Sequence, residues 1–143
     1  MTKKKTIEQK RLDEIARKLE EFKNSLRIDR NALDDDIEKH ADLVLRVQEA
    51  YSMAVSTKDE AKSKIEEVYA RTAMQIRTKL SSSTTKEKWT ESQVKDEVAI
   101  DPRYLAAVEN SQKADFDSKM WGSMVAAYDQ RGRMLRELAQ LYI

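Results

Sequence analysis

Cysteine is absent from this chain, and the usual breakers of regular structure are nearly so, with one proline and two glycines in 143 residues. The lack of cysteine excludes disulfides, thiolate metal sites and a cysteine nucleophile, and it fits a reducing compartment. The scarcity of Gly and Pro removes the common punctuation of sheets and tight turns. Aromatic residues make up 6% of the chain against 37% charged, so the composition favours long helices with narrow apolar seams over a thick core. A narrow seam buries little area per residue, and association with copies of itself or with a partner is the expected remedy. No apolar run approaches the ~20 residues of a membrane span, and no apolar signal-peptide core follows the basic start Lys3-Lys4-Lys5. The expectation is one soluble, cytoplasmic helical domain over 1–143 with no membrane partner.

Catalytic chemistry is missing too. There is no glycine-rich phosphate loop, no nucleophile with a base, and no spaced metal-ligand set. The expectation is a non-enzyme with no cofactor and no metal. Asp34, Asp35 and Asp36 invite a hard-cation reading, but consecutive helical residues point in different directions, and carboxylates in a first turn are favoured by the helix dipole. They read as a solvated helix start. His40, the only histidine, has no recognisable catalytic partner and reads as a surface or interface residue.

The net charge of +1 conceals segregation: +4 over residues 1–30, −5 over 31–60, +4 over 61–88 and −2 over 89–143. Such a division permits a polyanion to meet one face, or subunits to pair acidic with basic surface.

Along the chain, Leu12, Ile15, Leu19, Phe22 and Leu26 alternate by three and four and predict an amphipathic helix over 6–26. Leu26-Arg27-Ile28-Asp29 breaks the pattern, with Asp29 placed to cap a new helix. A similar phrase, Val98-Ala99-Ile100-Asp101, is followed by Pro102 at a first helical position. The two phrases read as helix connectors, with a minor two-stranded element as the alternative. A short helical stretch opens at Leu33, and a long helix runs from about Asp42 to Leu80. Its seam carries Ala54, Ala61, Ile65, Val68, Thr72 and Ile76 at heptad spacing, and the alanines Ala50, Ala54, Ala61 and Ala73 allow close helix approach.

That helix delivers Arg71, Arg77 and Lys79 to a polar break, Ser81-Ser82-Ser83-Thr84-Thr85, beyond which stand Lys86 and Lys88. Hydroxyls and backbone amides in such a loop can contact phosphates while the cations supply attraction. Part of the cluster is also explained by the preference for cations at a helix C-terminus. Trp89 can stack on a base, but Thr90-Glu91-Ser92-Gln93 forms a capping box, and a hydrophobic staple is the better reading of the tryptophan before it.

A last helix is predicted over about 103–141. Ala107, Ala114, Trp121, Tyr128, Leu135 and Tyr142 recur every seven residues, with Met124, Arg131 and Leu138 between. A charged residue in that seam suggests a subunit contact or a paired carboxylate. Gly122 and Gly132 each cost the helix ~1 kcal/mol relative to Ala and mark a bend or a close crossing. The expected oligomer interface draws on both seams: Leu12, Ile15, Leu19 and Phe22 from the first helix, and Trp121, Tyr128, Arg131 and Leu135 from the last.

Taken in order, the amphipathic N-terminal helix, Leu26-Arg27-Ile28-Asp29 with Leu33, the basic alanine-bearing helix with Arg77 near its end, Lys95-Asp96-Glu97-Val98-Ala99-Ile100-Asp101, Trp121-Gly122, and a tail with Arg131 and Leu135 resemble the UvsY family of phage recombination mediators across most of the chain. The resemblance implies an all-α, ring-forming homo-oligomer of long amphipathic helices arranged as an elongated hairpin or bundle. It implies binding of single-stranded DNA in the host cell cytoplasm. There the protein would help a RecA-like recombinase load onto strands covered by a single-strand-binding protein during recombination and repair. Matching the family's basic DNA-contacting segment puts forward Arg71, Arg77 and Lys79, joined by Lys86 and Lys88. A ring repeats a modest basic patch, and each neutralised phosphate releases counterions, so the contributions accumulate. The competing expectation is a non-enzymatic helical scaffold or virion assembly protein that uses the same seams for protein contacts alone.

Overall fold

The computed structural model describes residues 4, 6–81 and 90–142, with the side chains of residues 8, 80 and 81 excepted. Among them the chain is all-α: α1 (Ile7–Asn24), a 3-10 turn (Arg30–Ala32), α2 (Leu33–Ser81), α3 (Glu91–Ala99) and α4 (Pro102–Leu141). No strand occurs among the described residues. Both Ile-Asp phrases serve helix boundaries, and the two-stranded alternative is not realised. The short helix expected at Leu33 and the long helix expected from Asp42 are one uninterrupted element, since nothing between them breaks the backbone ladder.

Local chemistry accounts for the ends. Thr6 and Gln9 form a reciprocal capping box that starts α1. Asp29 accepts from the Asn31 amide to open the 3-10 turn. Thr90 and Gln93 close the box that starts α3, as the sequence predicts. The Asp101 carboxylate accepts from the Arg103 amide, and Pro102 occupies the first helical position of α4, where its missing N–H costs nothing.

The chain divides into two compact units, residues 1–56 with 114–143, and residues 57–113. In the first, Val47 and Ala54 of α2 pack against Trp121, Met124 and Tyr128 of α4. Ile15, Leu19, Phe22 and Leu26, along α1 and just beyond it, close over them. The Phe22 ring meets Trp121 and Tyr128 edge-on, at 5.5 and 6.2 Å, the arrangement in which ring edges face the electron-rich π surface. Tyr51 lies against Gly122 and Asp36 against Arg131, so α2 and α4 run antiparallel here. Trp121 is fully buried, and its indole N–H has no acceptor among the described residues, where a buried orphan donor costs about 1–3 kcal/mol.

In the second unit, Ala73 of α2 packs with Val94 and Val98 of α3, flanked by Tyr69, Ile76 and Tyr104. The i, i+4 pair on α3 supplies the one apolar stripe a nine-residue helix has room for. Tyr69 and Tyr104 meet edge-on at 6.1 Å. Arg103 braces this end of α4, reaching Gln75 on α2 and the Asp101 carboxylate. Hydrogen bonds from the Arg103 side chain, then from its amide, hold the Asp101 carboxyl below its ordinary range.

Candidate functional site

The basic end of α2 belongs to the second unit. Arg71 and Arg77 are exposed there, and both carry a carboxylate. Arg71 Nη2 lies 2.6 Å from Glu67, one turn earlier, and Arg77 Nη2 lies 2.7 Å from Glu91 in the first turn of α3. Lys79 is exposed in the last turn of α2. Six residues along a helix rotate by about 120° net, so Arg71 and Arg77 do not share one stripe. Arg77 flanks α3, whereas Arg71 projects outward. Lys86, Lys88, Trp89 and the hydroxyl residues 82–85 lie outside the described residues.

The residues expected to meet a second copy are placed differently. Trp121, Tyr128, Arg131 and Leu135 are buried inside the first unit, and Ile15, Leu19 and Phe22 pack on the same core. Leu12 is half-buried. The seams of α1 and α4 thus pack on one another and on α2 within one chain, at the side chains that the sequence reading expects at an oligomer interface. Tyr142, the last residue of the predicted heptad series, is exposed because α4 ends at Leu141.

A polar cluster sits at the end of this core. Arg131 is 3% exposed. Its Nε donates to the Leu26 carbonyl at 3.2 Å, Nη1 to His40 Nδ1 at 2.8 Å, and Nη2 to Asp36 Oδ1 at 3.3 Å. The other Asp36 oxygen accepts from the Asp29 amide at 2.7 Å. Nearby, the Tyr128 hydroxyl donates to the Phe22 carbonyl at 2.7 Å. Burial raises the Tyr128 phenol above its usual value, with Arg131 and a hydrogen bond to Ser25 pulling the other way. The guanidinium satisfies a carbonyl left without a helical partner just past the end of α1, and it is neutralised by Asp36. Of the two readings of Arg131, the paired carboxylate is what the structure contains.

Asp36 and His40, which the sequence alone presents as solvated or interfacial, occupy i and i+4 of α2, in line with the stripe that continues through Val44 and Val47. A charged position in the α4 seam requires a partner, and this pair of polar residues at the start of the α2 seam is the signal that points to one.

Among the described residues no group of three or more His, Cys, Asp or Glu is placed to hold a metal, and no helix is long and apolar enough to cross a membrane. No protein family, curated protein or solved structure matches this chain.

Proposed function

We propose that the protein is a single-stranded DNA-binding recombination mediator. It would act in the host cell cytoplasm during phage recombination and repair, assisting a RecA-like recombinase on strands coated by a single-strand-binding protein, and working as a homo-oligomer. The observation that carries this reading is the exposed basic end of α2, Arg71, Arg77 and Lys79, with Lys86 and Lys88 next in the sequence. The resemblance in motif order supplies the biological setting.

The carboxylates on Arg71 and Arg77 do not argue against it. All four side chains are more than half exposed, and exposed ion pairs are worth only about 0–1 kcal/mol. A phosphate that replaces a carboxylate gains a charge-assisted hydrogen bond and releases counterions. The test is titration of labelled oligonucleotide against the assembled protein, with a duplex control and a salt series. Salt-sensitive, sequence-indifferent binding of single strands is expected, and absence of binding at low salt refutes the reading.

A second reading, a helical scaffold or virion assembly protein, is favoured by a different observation. Phe116, Met120, Met134 and Leu141 stand well exposed on α4, an apolar display of the kind that a protein partner covers. The same titration separates the two.

A further inference from the structure

We propose that His40 is a proton-operated latch that holds the end of α1 onto α4, and that its protonation releases that end. The inference is independent of the strand-binding reading and rests on geometry in the first unit alone.

Arginine carries donors only, so the nitrogen it meets must accept. The 2.8 Å approach of Arg131 Nη1 therefore fixes Nδ1 of His40 as the lone-pair nitrogen and places the proton of the neutral ring on Nε2. Protonating Nδ1 sets two donors and two cations face to face. Arg131 can retreat only by giving up the bonds that the same guanidinium makes to the Leu26 carbonyl and Asp36. On the other side of the ring, Nε2 sits over Gly132, so close that a Cβ added there would stand 2.6 Å away. The open side is a cavity of about 290 Å³ lined by Ile37, His40, Gly132, Leu135, Arg136 and Ala139.

Among the described residues, charged groups on both α2 and α4 enter the balance. From α4 come the cation of Arg131 in direct contact, Arg136 on the cavity wall, and Asp129, which favours the imidazolium. From α2 comes Asp36, already committed to Arg131 and the Asp29 amide. The Tyr128 ring stacks on the imidazole at 6.4 Å, and the segment after α1 presents the Leu26 carbonyl through Arg131. Burial, then Arg131, hold the imidazole below its ordinary value near 6.5, and Asp129 opposes them. The latch is thus closed at neutral pH and opens on acidification, the direction in which a histidine buried neutral must charge.

What opens is specific. Arg131 to Leu26 and Tyr128 to Phe22 are two side-chain bonds that tie the end of α1 and the residues beyond it to α4, and Phe22 covers Trp121. Release of the latch exposes Trp121 while α2 and α4 stay paired through Val47 and Ala54.

The chain has one histidine and two tryptophans, so a Trp89→Phe background isolates Trp121 as reporter and the imidazole titrates without ambiguity in NMR spectra. The expected result is an Nε2–H tautomer at neutral pH, and a red shift of Trp121 emission on acidification whose midpoint coincides with that of the imidazole, below its ordinary value. Helical circular dichroism is largely retained through this change. The variant His40→Asn, whose oxygen can accept from Arg131 but cannot be protonated, should lose the transition. A transition that persists in His40→Asn, an imidazole that titrates separately from Trp121, or an Nδ1–H tautomer at neutral pH overturns the proposal. Should the asparagine variant fold poorly, the tautomer and the coincidence of midpoints in the His40-containing protein still decide it.

Discussion

Gly132 and His40 fit together so closely that a Cβ added to the glycine would stand 2.6 Å from the imidazole Nε2. Gly122, ten residues earlier on the same helix, is different, because a Cβ there would meet Tyr51 Cε2 at 3.4 Å, an ordinary van der Waals separation. Both glycines cost α4 about 1 kcal/mol of helix propensity, so their alanine variants separate propensity from packing. Gly122→Ala is expected to raise stability by about 0.5–1 kcal/mol. Gly132→Ala is expected to lower it, because His40 must leave Arg131 to make room. Urea unfolding midpoints check both, and His40→Ala combined with Gly132→Ala should recover part of the deficit.

Arg131 offers a test of what the seam of α4 is for. Within one chain it neutralises Asp36 and satisfies His40 and the Leu26 carbonyl. Removing one member of a buried pair leaves the other charged and desolvated, typically at about 3–5 kcal/mol. Arg131→Ala should be destabilised on that order, and Tyr128→Phe, which strands the Phe22 carbonyl, by about 1 kcal/mol. Both effects should be the same at every protein concentration, because the partners belong to the same chain. A destabilisation that shrinks as concentration rises would return Arg131 to a subunit interface.

Asp117 gives a pH dependence of opposite kind to that of a paired carboxylate. Burial alone raises its carboxyl above the ordinary value, so the folded chain binds this proton more tightly than the unfolded chain does. The contribution to stability is therefore largest in acid and is lost as pH rises through the unfolded value of 3.8 and on through the raised folded one. Asp117→Asn should be more stable than the parent at neutral pH, with the difference vanishing in acid. Denaturant titrations at a series of pH values read this directly.

Legibility divides along the distance over which each feature is decided. The heptad of α4 is readable because burial repeats every seven residues from Ala107 through Leu135, and the caps at Thr90 and Asp101 are readable because capping is settled within three or four residues. The Asp36–Arg131 and His40–Arg131 bonds join positions 95 and 91 residues apart, and no local rule says which of three consecutive aspartates turns inward. The same distance leaves the partner of each seam open. Apolar stripes on two helices announce that each needs a partner, but not whether that partner lies in the same chain or another. Arg77 looks free of carboxylates in the sequence because Glu91 lies beyond a polar break, and only the packing of Val94 and Val98 on Ala73 brings the start of α3 back to it.

That last pair gives the sharpest check on the strand-binding proposal. If phosphates compete with Glu91 for Arg77 and with Glu67 for Arg71, removing each carboxylate's charge should help the strand. Glu91→Gln and Glu67→Gln are expected to tighten single-stranded DNA binding several-fold at low salt, in keeping with exposed pairs worth less than about 1 kcal/mol each. Arg77→Ala or Lys79→Ala should weaken it on every sequence alike and make the salt slope shallower by about 0.7 for each phosphate no longer neutralised, the value for single strands. Glu91→Gln also removes one link between α2 and α3, so an unfolding curve on the same variant separates the missing link from the gain of a phosphate site. Affinity unmoved by either glutamine, with Arg77→Ala acting only on stability, would place the strand-binding surface away from this end of α2.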